Sequence, residues 1–138
     1  MNTRTFALIF GIVFLAVGVA GFVPQLVSPP EGGAMNMGGG EDMGMLLGMF
    51  PVNKWHNIVH LLFGLWGLLA SRSGPGAVTY ARGVAIIYAV LTACGLIPSL
   101  WSLGGFVPLY GNDVWLHGAI AVVAAYFGWV NRSPATTY

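Results

Sequence analysis

The sequence predicts an all-α integral membrane protein: a four-helix transmembrane bundle built from two pseudo-repeated helical hairpins, with both termini cytoplasmic. The first observation is composition. The 138 residues are 57% hydrophobic and 7% charged, with a mean hydropathy of +0.78, whereas a soluble domain carries roughly a quarter charged residues. The second is segmentation. Four apolar runs, approximately 5–23, 53–71, 80–100 and 113–130, are 18 to 21 residues long, close to the ~20 that cross a bilayer as a helix. The third is their texture: the runs are continuously apolar, without the period-2 alternation of barrel strands. The length allows one domain, 1–138.

The first run follows Arg4 and contains Gly18 and Ala20 near its end, so it also resembles a signal peptide with a cleavage site. Its length favours a span. Pro24, Pro29 and Pro30 stop it and open an outer loop, 24–52. The second run begins at Asn53, and Gly74-Pro75-Gly76 separates it from the third. Pro98, Gly104-Gly105 and Pro108 precede the fourth. Arg4, Arg72, Arg82 and Arg132 fall at one set of run ends, and Lys54 is the exception. The positive-inside rule then places both termini in the cytoplasm and the loops 24–52 and 101–112 outside. Trp55, Trp101 and Trp115 suit an outer aromatic belt and Trp129 an inner one, whereas Trp66 lies well within its run. Cys94 is the sole cysteine and excludes an intrachain disulfide. A net charge of +1 leaves no basic stripe for nucleic acid.

The two halves echo one another. Gly21-Phe22-Val23-Pro24 ends the first run and Gly95-Leu96-Ile97-Pro98 the third. His60, Gly64, Gly67 and Ser71 share the 0, 4, 7, 11 spacing of His117, Ala121, Ala124 and Gly128. That spacing makes one helix face, and small residues on such a face let helices approach closely. The histidines therefore head inward stripes, at similar depth from the outer boundary.

Two readings of those histidines stay open. Imidazole ligates zinc, copper and iron, and opposed histidines hold haem, so His60 and His117, with His56 one turn before His60, are candidate ligands for copper or haem. Alternatively they are polar glue, hydrogen-bonded to Asn53, Asn57, Asp113 or a carbonyl. Met35, Met37, Met43, Met45 and Met49 all lie in the outer loop. Thioethers suit Cu(I), which makes Met35, Met37, Met43 and Met45 candidate metal ligands beside the histidines. The alternative is adaptable packing at the membrane interface. No Walker A, GxGxxG, HExxH or GxSxG motif stands in the chain, so no enzyme is expected.

Gly21-Phe22-Val23-Pro24, the run from Asn53 through Trp55-His56-Asn57 and His60 to Gly64, and Asp113-Val114-Trp115-Leu116-His117 resemble the DUF4383 family. The resemblance covers nearly the whole chain. It implies a small bacterial four-helix membrane protein without an assigned function, with His56, Asn57, His60, Gly64, Asp113 and His117 at the family's signature positions. The Met-rich loop stands outside that pattern. The expected function is a non-enzymatic accessory or packing subunit, embedded in the bilayer and associating with a larger membrane complex. The alternative is a copper- or haem-binding protein that uses the inward histidines and the outer methionines.

Overall fold

The computed structural model describes residues 1–30 and 43–131. Met35 and Met37 lie outside the described residues, as do Glu31, Glu41, Asp42 and Arg132.

Helix α1, Thr3–Ala20, starts where the Asn2 side chain accepts a hydrogen bond from the Thr5 amide at 2.8 Å, a standard N-cap. Its buried face is Thr3, Phe6, Ala7, Gly11, Phe14 and Gly18, a spacing that follows one side of a 3.6-residue turn. A 3-10 turn, Pro24–Leu26, follows. The chain between α1 and residue 53 then departs from the all-helical expectation by forming, among its described residues, a small antiparallel sheet. Strand β1 is Val27–Ser28, β2 Gly44–Leu46 and β3 Phe50–Val52, in the order β1-β2-β3. Val27 pairs with Leu46, and Leu46 with Phe50. Leu47 and Gly48, at φ 53° and 69°, supply the left-handed backbone that tight hairpins require. Strands this short give little periodicity to read.

Helix α2, Lys54–Ala70, is capped by Asn53, whose side-chain oxygen accepts from the His56 amide at 2.8 Å. Helix α3, Gly74–Gly95, begins six residues ahead of the expected Tyr80. Ser73 caps it by accepting from the Gly76 amide at 3.1 Å, and Pro75 sits in the first turn, where no amide is required. Gly74-Pro75-Gly76 therefore opens a helix and does not merely divide two. A second 3-10 turn, Pro98–Leu100, ends the segment. Helix α4, Asn112–Ala125, continues as a π-helical turn, Tyr126–Val130, in which the Asn131 amide reaches the Tyr126 carbonyl at 2.8 Å.

The protein is thus mostly helical, with four principal helices. Three segments, Thr3–Ala20, Gly74–Gly95 and Asn112–Val130, are long and apolar enough to cross a membrane, while α2 has 17 residues. Helix α1 packs chiefly on α2, and α3 on α4. The α1–α2 contact is closest at glycine. A Cβ at Gly11 would lie 2.8 Å from the Leu68 amide nitrogen, and one at Gly67 would lie 2.8 Å from Gly11 Cα. Where the pairs meet, Phe6, Phe14, Tyr80, Val84, Tyr88 and Phe127 form the buried core. The Phe6 and Phe127 rings stack at 4.7 Å. Trp66, the aromatic outside the belt pattern, rests edge-on to Tyr80 at 5.0 Å and occupies the space that a Cβ at Gly83 would need.

Candidate metal centre

Apart from Thr3, the buried polar residues among those described gather at one end of the core. His56 lies in the first turn of α2, and His60 follows one turn later. Asp113 and His117 are four residues apart in α4, so both occupy the same face of that helix. All four are buried, with Asp113 2% and His117 3% exposed.

His56, Asp113 and His117 each offer a ligand atom, and these atoms lie within 4.8 Å of one another. The His56 ring is held from behind by β3, whose Pro51 carbonyl lies 3.2 Å from Nδ1. A carbonyl oxygen only accepts, so Nδ1 carries the proton and Nε2 keeps its lone pair. That is how an outer partner prepares an imidazole to ligate. The small sheet therefore sets the tautomer of a core histidine.

The other groups are poorly satisfied. Asp113 Oδ2, His117 Nδ1 and His60 Nδ1 are buried without a hydrogen-bond partner. Leaving a buried polar atom unpaired costs about 1–3 kcal/mol, more when charged, so three at one place call for a physical reason. His117 instead meets the edge of the Tyr88 ring at 5.1 Å. His60 packs against His56 at 4.4 Å and Phe14 at 5.6 Å, ring centroid to centroid. The three histidines also line a cavity of about 180 Å³, closed by Tyr88 and by Phe106 and Leu109 of the following loop. That loop is tied to the α2 cap, because the Asn53 side-chain amide donates to the Phe106 carbonyl at 2.9 Å.

Among the methionines, Met43 is buried and accepts a hydrogen bond from the Tyr110 hydroxyl through Sδ, at 3.3 Å. Burial raises the Tyr110 hydroxyl pKa, and the neighbouring Asp113 raises it further. Met45 lies in β2 opposite Pro51, and Met49 is exposed. The compact ligand group thus contains His56 and His117 together with Asp113, which the sequence alone presents as a hydrogen-bonding neighbour of the histidines. The signal for Asp113 was present: a carboxylate and an imidazole at i and i+4, opening an otherwise apolar helix.

A family model described as a domain of unknown function, DUF4383, matches residues 4–130. The chain belongs to the DUF4383 family. The match takes in all four helices, the small sheet and the whole polar cluster of this DUF4383 protein. No curated protein and no solved structure matches it.

Proposed function

We propose that this DUF4383 protein holds a transition-metal ion in the outer half of a four-span membrane bundle, acting as a binding protein and not as an enzyme. The observation that carries the reading is the convergence of His56, Asp113 and His117 within 4.8 Å, with Asp113 Oδ2 and His117 Nδ1 both lacking partners. Polar glue is the weaker explanation, because glue requires the very hydrogen bonds these atoms lack. Haem fits poorly. A cavity of about 180 Å³ is below the ~300 Å³ at which sites for drug-sized organic molecules begin.

The membrane setting is supported by the helix lengths and by the outward faces. Val122 is 72% exposed and Leu62 61%, which lipid tolerates and water does not. The bilayer alone accounts for that apolar exterior, so it does not select a packing or accessory role in a larger complex. The two hairpins, each with a 3-10 turn after its first helix, support a pseudo-repeat. The arginines support cytoplasmic termini.

The test is elemental analysis of protein purified in mild detergent without chelator. About one transition-metal ion per chain, lost in His117→Ala while the helical circular-dichroism spectrum persists, is the expected result. A folded, metal-free protein that also takes up no ion on dialysis would end the reading.

A further inference from the structure

Resting on that reading, we infer that the site takes a divalent ion of borderline softness, zinc above all, on two imidazoles and one carboxylate. The proposal excludes Cu(I) held by thioethers. His56, His117 and Asp113 form the site, leaving a fourth position open toward the small cavity beside His60.

The ligand chemistry decides the class. Two neutral imidazoles and a carboxylate are a nitrogen–oxygen set of the kind that suits Zn²⁺, whereas Cu(I) prefers thiolate and thioether sulfur. Magnesium and calcium take oxygen donors, which a histidine pair does not supply. The described methionines of the soft alternative have other roles. Met43 Sδ is engaged by the Tyr110 hydroxyl, and Met45 sits in the sheet.

Charge points the same way. An ionised Asp113 against a divalent cation leaves +1, and the rest of the shell is imidazole and hydrocarbon. The ion also supplies the counter-charge that a buried carboxylate requires, at a group whose Oδ2 has no hydrogen-bond partner. Geometry is close to what is needed. Ligand atoms of a tetrahedral zinc site stand about 3.3 Å apart, and these lie within 4.8 Å. Side-chain shifts of roughly 1 Å close the site, with His56 already oriented by Pro51. Three protein ligands leave one tetrahedral position open. The cavity lined by His60 and Phe106 is the space beside it.

The experiment loads chelator-stripped protein in detergent with Zn²⁺, with Co²⁺, or with Cu⁺ under reductant, and measures binding by equilibrium dialysis. Asp113→Asn is compared with the double variant Met43→Leu, Met45→Leu. Asparagine keeps the shape and removes the charge, and thermal melting checks that each variant is folded. Zinc and cobalt are expected to bind at one per chain, with Co²⁺ giving the intense visible bands of a tetrahedral site. Asp113→Asn should weaken zinc at least tenfold, while the methionine double variant leaves it unchanged. Zinc binding indifferent to Asp113→Asn, or Cu⁺ retention lost with the two methionines, would overturn this inference yet leave metal binding standing. Failure of all three ions to bind folded wild-type protein would overturn the metal reading itself.

Discussion

Asn53 shows how much one side chain can organise. Its oxygen caps α2 on the amide of His56 at 2.8 Å, and its nitrogen donates to the Phe106 carbonyl at 2.9 Å. One amide thus fixes the start of the helix that carries two histidines and ties it to the loop that closes their cavity. Asn53→Ala removes the cap, which costs about 1–2 kcal/mol, and also frees the loop. In detergent the thermal midpoint should fall by several degrees, because ~1 kcal/mol shifts a domain of this size by about 2–8 °C. Metal affinity should fall with it, since the first turn that aims His56 loosens. An unchanged midpoint would mean that other contacts position α2 and that the cap is incidental. His60 and His117 are legible from sequence as inward residues, because each heads a stripe of small residues, whereas His56 is placed only by lying one turn before His60. Which of them would converge was not legible. His56 and His60 share a helix, and it is tertiary packing that groups His56 with Asp113 and His117.

At the scale of the helix pair, small residues determine contact distance. The Cβ of any residue placed at Gly11 would meet the Leu68 amide nitrogen at 2.8 Å and the Gly64 carbonyl oxygen at 3.0 Å. Both are backbone atoms, so no side chain can turn aside to relieve the clash. Gly11→Val should therefore separate α1 from α2 and destabilise the bundle by about 1–3 kcal/mol, as overpacking does. Gly74→Ala, where the added Cβ meets nothing within 4 Å, should leave stability within about 0.5 kcal/mol. Melting curves of the two variants in the same detergent check this, and equal midpoints would refute the close-packing account. The apolar runs and their breakers revealed the helices because lipid-crossing segments must be continuously apolar. The small sheet stayed hidden. Its strands are two or three residues long, and its pairing joins Val27 to Leu46 across the loop, a tertiary choice that local pattern does not record. The start of α3 was also misplaced, because Pro75 looks like a breaker until Ser73 is seen capping the helix from outside.

For the whole molecule, the decisive quantity is which end faces the cytoplasm. The structure brings the start of α1, the ends of α2 and α4 and the start of α3 to one side. Arg4 Nε donates to the Ser71 carbonyl at 2.9 Å, the Thr3 hydroxyl to the Phe127 carbonyl at 3.2 Å and Arg82 Nε to the Gly128 carbonyl at 2.8 Å. Three arginines, Arg4, Arg72 and Arg82, therefore belong to this end. Lys54 and the His56–Asp113–His117 group stand at the opposite end, at the starts of α2 and α4. Basic residues are held on the cytoplasmic side during insertion, so the metal-ligand group should face outward and load from the extracytoplasmic side. In a Cys94→Ala background, Leu47→Cys in the β2–β3 turn should react with a membrane-impermeant maleimide in intact cells. Gly74→Cys, at the open start of α3, should react only after the membrane is permeabilised. Leu47 is 60% exposed and Gly74 has free space for a side chain, so neither position is silent for lack of access. Labelling with the opposite sidedness would invert the bundle and make the cytoplasm the metal's source. Labelling of both sites in intact cells would mean that the chain does not hold one orientation, a possibility that its small number of flanking charges makes worth testing.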